Sequence, residues 1–279
     1  MKKYTFSPAY TMIELIFVIV ILGVIASLGS EVIAKVYSQY ILQRAEYRAT
    51  MKTELAATQI ANRLSSMIPG TAIRRVTRDA TGWEYLQETM ALNAGGDYDV
   101  LQWVGSDVEG FNINNSTNNK VGWSGFCDID ASSKSSISTP GSDLSLVNTI
   151  RTNLGSPSNF AVYFPYDQTA YYGSGSSNTI TLDNNTSHIV EHYKLARTSY
   201  AIVAETNSEG RQDLILYYNF APTIATAINV NGVKKSILLK NISTFKFKGA
   251  GRTLRFKLCK DENIGEDFNI SACKEKAVF

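Results

Sequence analysis

Two histidines, three cysteines and one row of alternating cations are the residues of this sequence whose types and spacing offer chemistry. His188-Ile189-Val190-Glu191-His192 matches an H-x-x-E-H pattern. On a helix that pattern sets both imidazoles on one face to hold zinc, with Glu191 as general base and a distal carboxylate, Glu205 or Glu209, as third ligand. The segment instead follows an Asn- and Ser-rich stretch and runs straight into Tyr193-Lys194-Leu195, which reads as a strand. The expectation is therefore two exposed histidines at a strand start, with no metal, no cofactor and no catalytic constellation. Lys246, Lys248, Arg255 and Lys257 alternate with Phe245, Phe247, Leu254, Phe256 and Leu258 around Gly249-Ala250-Gly251. Period two places the cations on one face of a hairpin and the apolar side chains on the other. A solvated outer face is the plain reading; a patch that meets DNA phosphates is the sharper one. No aromatics interleave on the cationic face, so base stacking is not suggested.

Cys259 and Cys273 lie 14 positions apart near the C-terminus. In an exported, oxidising compartment they are expected to form a disulfide, leaving Cys127 as a small buried apolar residue. Asp183-Asn184-Asn185-Thr186-Ser187 and Asp267-Phe268-Asn269-Ile270-Ser271 match an acidic-extended N-glycosylation acceptor, a match that a chain rich in Asn and Ser also produces by chance.

The N-terminus holds a different kind of signal. A short polar leader with Lys2 and Lys3 reaches Ala9, and from Tyr10 to Gly29 the chain is apolar with a single charge, Glu14. As a helix this run is roughly 30 Å long, the thickness of a bilayer core. The lysines keep the leader cytoplasmic and send the C-terminal bulk outward. An ordinary secretory signal is cut after its apolar stretch; here no small-x-small site follows, and the small residue Ala9 sits ahead of it. Glu14 is costly in such a span and needs a cationic partner there. A cut between Ala9 and Tyr10 creates one: the new α-amine of a neighbouring chain, with Glu14 as fifth residue of each mature chain.

Ala9-Tyr10-Thr11-Met12-Ile13-Glu14-Leu15 resembles the processing motif of the type IV pilin and type II secretion pseudopilin family, in which Gly precedes the cut, Phe usually follows it, and Glu is the fifth mature residue. Ala9 and Tyr10 replace Gly and Phe, small for small and aromatic for aromatic. The resemblance implies a prepilin peptidase that cuts between Ala9 and Tyr10 on the cytoplasmic side and methylates Tyr10. It implies an inner-membrane precursor with a periplasmic head. Its partners would be other pilin or pseudopilin subunits and the inner-membrane assembly platform. With about 270 residues after the cut, the chain leans towards a larger minor subunit. In a competence-type pilus, the basic hairpin would be the DNA-contacting element.

The elements that must position these residues follow from pattern. Residues 1–9 form the leader, 10–29 the membrane half of a stem helix, and 30–68 its periplasmic half, which is free of Pro and Gly from Glu31 to Met67. Ile33, Val36, Tyr40, Tyr47, Met51, Leu55, Ile60, Leu64 and Met67 recur mostly at gaps of three, four or seven, one apolar stripe expected to seat the second half against the head. Pro69-Gly70 ends the run. Residues 69–279 form the head. Ser/Asn/Gly/Thr-rich stretches at 106–159 and 173–187 read as long loops, and short strands follow with turns at Glu209-Gly210 and Gly249-Ala250-Gly251. The expected fold is α+β: a long N-terminal transmembrane helix packed on an antiparallel sheet. A net charge of +2 excludes bulk attraction to nucleic acid.

Overall fold

A computed structural model describes residues 11–78, 82–86, 99–155, 159–226, 228, 232–264 and 268–279. Ala9 and Tyr10, the expected processing residues, and Asp267 of one glycosylation match lie outside them.

The stem is one helix, α1 (Met12–Leu64), of 53 residues and about 80 Å. It ends three residues before the expected Met67. The chain leaves the helix there to meet the sheet: Met67 bridges Gly105, and the Ile68 N–H donates to Val104 O at 2.9 Å.

The head begins with β1 (Ile73–Arg75), β2 (Glu84–Tyr85) and β3 (Val100–Ser106), and closes with β11 (Lys194–Thr206), β12 (Gln212–Phe220), β13 (Lys234–Ala250), β14 (Thr253–Ile264) and β15 (Phe268–Val278). Between β3 and β11 the chain builds α2 (Val108–Asn112), β4 (Asn114–Asn115), β5 (Lys120–Val121), β6 (Asp128–Ser133), β7 (Ser136–Ser138), α3 (Leu144–Leu154), β8 (Phe160–Tyr163), β9 (Tyr171–Ser176) and β10 (Thr179–Leu182). One antiparallel sheet runs β15-β14-β13-β12-β11-β8-β9-β10-β7-β6. It forks at β11: Lys194–Ala196 pairs with β8, whereas the residues after the bulge, from Thr198, pair with β3. The fold is α+β, as expected.

The stretches 106–159 and 173–187 are not long loops, and the sequence expectation is corrected there. They hold most of the outer lobe. Trp123, Ile137, Leu144, Val147, Ile180 and Leu182 converge on a single core, while along β9 and β10 Ser174, Ser176 and Thr181 fill the exposed alternate positions. Low hydrophobic content hid the pattern. The glycines of β9 permit close layers rather than flexibility: a Cβ at Gly175 would lie 2.7 Å from the Cβ of Leu144 on α3. The final strand β15 was also not anticipated, because Cys273 to Lys276 carry charge on both faces of an edge.

The stem docks by a different face from the one the stripe suggested. Its buried residues are Ala49, Thr53, Ala56, Ala57, Ile60 and Leu64. Small side chains let the helix axis approach the sheet, and Ile60 and Leu64 join a core with Trp103, Leu216, Phe247 and Phe256. Three side chains secure the periphery. Lys274 and Lys276, two apart on β15 and so on one face, each place Nζ 2.8 Å from the carboxylate of Glu54. Lys276 also donates to Thr58 at 2.8 Å. Bonds from Lys274 and then Lys276 hold the Glu54 carboxyl down at about 2.

A depressed carboxyl contributes stability that is fully present above the ordinary value of 4.5 and is lost as pH falls through about 2. The thermal unfolding midpoint of the head, measured on the full chain in detergent micelles, should therefore fall between these pH values. Glu54→Gln should remove part of that acid sensitivity, and added salt should reduce the difference because the cluster is solvent-accessible.

Candidate functional site

The candidate site is the length of α1 that the head leaves uncovered. Glu14 sits in its first turn, exposed, and Ile13, Leu15, Ile16, Phe17 and the apolar residues through Leu28 are all exposed too. This part of the helix is long and apolar enough to cross a membrane, and none of it is buried by the head. The exposure does not stop where a bilayer core would. Ile33, Val36, Tyr37, Tyr40, Tyr47, Met51 and Leu55 are also exposed. At about 100° per residue these side chains cluster on the side of the cylinder nearly opposite Ala49, Thr53, Ala56, Ala57 and Ile60. Around Tyr47, Met51 and Leu55 the helix thus has a smooth face turned to its own head and a bulky apolar face turned away, while Tyr37 and Tyr40 border a cleft shared with Glu262, Asn263 and Ile264 at the end of β14. Of the stripe read from sequence, only Ile60, Leu64 and the partly buried Met67 seat against the head.

The stem's docking residues were missed because the stripe was read from large side chains alone. A ridge of Ala and Thr at 49, 53, 56 and 57 has the same helical spacing and was the available signal. Glu54, Lys274 and Lys276 left no signal without the strand that brings them together.

The structure separates the candidate zinc residues. His188 and His192 are exposed in an extended segment just ahead of β11, where no helix aligns them. His188 Nδ1 lies 2.9 Å from Ser187 Oγ, His192 packs against the Phe126 ring, and the Glu191 carbonyl accepts from the Cys127 N–H. Glu205 takes its own partners, Arg78 at 3.3 Å and the Tyr217 hydroxyl. Among the described residues no cluster of three or more His, Cys, Asp or Glu is placed to hold a metal. Asn185 is exposed in the loop before this segment, and Asn269 is exposed on β15 opposite Asn263.

The basic hairpin forms as its alternation implies. Lys246 lies directly opposite Lys257, and Lys248 opposite Arg255, while Phe247, Leu254, Phe256 and Leu258 are buried on the helix side. Glu275 is opposite Lys257 on the next strand. Like charges directly opposite on one face are unfavourable. The hairpin and β15 are locked together by the disulfide Cys259–Cys273, whose residues are register partners with Cα atoms 4.0 Å apart. Cys127 is free and buried, and burial pushes its thiol up. It sits beside Ser132 in the outer lobe.

Compared with family models, with curated proteins and with solved structures, the chain has no match.

The disulfide fixes the strand that carries Lys274 and Lys276, so its loss should loosen the edge that holds the stem. Closing a loop of this length contributes about 3 kcal/mol in the chain-entropy account. Cys273→Ser should lower the unfolding free energy by roughly that amount in denaturant titrations, and reductant should bring the unmodified protein to the same midpoint.

Proposed function

We propose that the chain is a structural subunit of a type IV pilin-like filament, a pilus or a type II secretion pseudopilus, and that its size places it among the minor subunits. The observation that carries this reading is the second face of α1. A single-pass anchor needs about 20 apolar residues. This helix continues with exposed bulky apolar residues from Ile33 to Leu55; Tyr37 and Tyr40 border a cleft shared with Glu262–Ile264 of the head, whereas Tyr47, Met51 and Leu55 lie on the side opposite the docking seam. Contiguous exposed apolar surface of this extent marks an interaction face. A helical row at this spacing fits other helices.

The mechanism is polymerisation rather than turnover. The precursor sits in the inner membrane with its leader in the cytoplasm and its head in the periplasm. A prepilin peptidase cuts between Ala9 and Tyr10 and methylates Tyr10. Stems then associate along their apolar faces, with other subunits as neighbours and the inner-membrane platform as the site of assembly. Glu14 pairs with the amine of a neighbouring Tyr10, which offsets the cost of holding a lone carboxylate in the span, about 2.5–3.5 kcal/mol on insertion scales. The pairing also sets the axial register.

A second reading is favoured by one observation. Lys246, Lys248, Arg255 and Lys257 face each other on one side of the hairpin, and among the described residues none has a carboxylate at ion-pair distance, Glu275 being only the register neighbour of Lys257, so an anionic polymer would relieve their repulsion. In this reading the head of a competence-type pilus contacts DNA through its phosphates.

The first experiment is the intact mass and N-terminal sequence of the membrane-extracted protein, with and without an active prepilin peptidase. The expected product begins at methylated Tyr10; an N-terminus that stays at Met1, or lies beyond Gly29, in both strains overturns the filament reading. Glu14→Ala should insert and fold yet fail to co-purify with filaments. Tyr47→Asp with Met51→Asp should give the same assembly defect with an unchanged thermal midpoint. Reversing the four hairpin cations should leave assembly intact and lower DNA uptake if the second reading holds.

A further inference from the structure

The sheet parts on the helix side of the head. β13 and β14 are paired from the turn back to Ile242 and Lys260, but beyond that point β14 pairs only with β15. Asn241 takes a left-handed conformation at φ 57, which turns β13 away just where the strands separate. Residues Lys234–Asn241 are therefore bonded to β12 on one side and have no described strand on the other. Lys235, Ser236, Ile237 and Lys240 along this edge are exposed, Ile237 at 52%.

The free edge borders a groove. A cavity of about 880 Å³ lies between the end of α1 and the inner face of the sheet. Ile202, Leu216 and Leu238 make its floor, Arg63 stands on the helix wall, and Lys234 and Ser236 line it from β13. Trp103 also lines it. The ring is fully buried, and its Nε1–H has no hydrogen-bond partner.

Charge selects the occupant. Arg63 packs over the Tyr200 ring, and Lys234 donates to the Leu154 carbonyl. Among the described residues, neither these two nor Lys235 and Lys240 have a carboxylate at ion-pair distance. One carboxylate lines the groove, Glu109, and it is paired with Arg197 at 3.4 Å.

We propose that this edge captures an extended, acidic–apolar segment of a partner polypeptide by strand addition. Its backbone bonds to Lys235–Leu239, alternate apolar side chains enter the groove, and its carboxylates meet Lys235 and Lys240. Register supports the division of faces: Lys235 and Ile237 lie opposite Tyr217 and Ile215 on the outer face, whereas Ser236 lies opposite Leu216 on the groove side. The main-chain bonds supply affinity and the alternating side chains supply specificity. The inference concerns the head alone and does not require the stem to assemble.

The test uses the full chain in detergent micelles and a fluorescein-labelled octapeptide, Ser-Asp-Ile-Asp-Val-Asp-Ile-Ser, followed by anisotropy. Saturable binding is expected. Lys235→Glu with Lys240→Glu should weaken it at least tenfold, and a peptide with Lys in place of Asp should bind the double variant better than the unmodified chain. Two N-methylated peptides separate strand addition from simple attraction. Blocking amides at the Asp positions, or only at the alternate positions, should abolish binding in one case and spare it in the other, because successive N–H groups of a strand point to opposite sides. Equal binding of both, or no saturation up to about 1 mM, overturns the proposal. So does self-association of the chain that the same double variant abolishes, which would assign the edge to a second copy.

Discussion

A single helical cylinder here has to satisfy two kinds of neighbour at once. The head needs a close-packed seam, and the rest of the helix needs cover for bulky apolar side chains that the head does not reach. The sequence divides the two demands around the cylinder. Ala49, Thr53, Ala56 and Ala57 bring the helix down onto the sheet, while Tyr47, Met51 and Leu55 project the other way. Small residues at a seam gain little from transfer out of water. They gain from the close approach they allow, which places Ile60 and Leu64 inside the aromatic core of the sheet. Docking therefore depends on the last turns of the helix, with the Glu54 cluster securing the stretch where the seam is thin.

That dependence explains why the end of the chain is built as it is. β15 is an edge strand, and an edge strand is the first element to fray. It is bonded to β14 along its length and joined to it by Cys259–Cys273 next to the lysines that reach Glu54. Covalent and ionic ties sit on neighbouring residues because the load they bear is shared. The stem is held by a strand that would be marginal without the disulfide, and the strand gains a helix to lean on. The charges of β15 that blurred its strand pattern are the same ones that hold the helix.

The reading from sequence was good where a period ran long and the side chains were large. The helix, the hairpin of Phe245 to Leu258, and the bridge between Cys259 and Cys273 were legible because each is a local pattern or a local pair. It failed where apolar residues were sparse. In the outer lobe, Trp123, Ile137 and Leu182 are separated by runs of Ser, Asn and Gly, and nothing local says that they share one core. The face of the stem that docks was misassigned because periodicity reports that a face is apolar, not which partner covers it. The pairing of Glu54 with β15 joins residues more than 200 positions apart, and no local rule reaches that far.

The fork at β11 ties the two halves of the head into one mechanical unit. A separate domain on a flexible linker would move independently; here β11 is continuous, and its first residues belong to the outer lobe while its later ones belong to the sheet under the stem. At the fork Arg197 is buried with Asp107, and burial pushes the Asp107 carboxyl up against the opposing pull of Arg197. A buried pair of this kind adds little net stability but is severely penalised when one partner is removed. It fixes the angle at which the lobe leaves the sheet. The Trp123 indole adds a neutral tie by donating to the Asp107 carbonyl at 2.7 Å. The orientation of the lobe is thus set by the strand that also floors the groove beside the stem, so a pull on the lobe reaches the stem seam through one continuous strand.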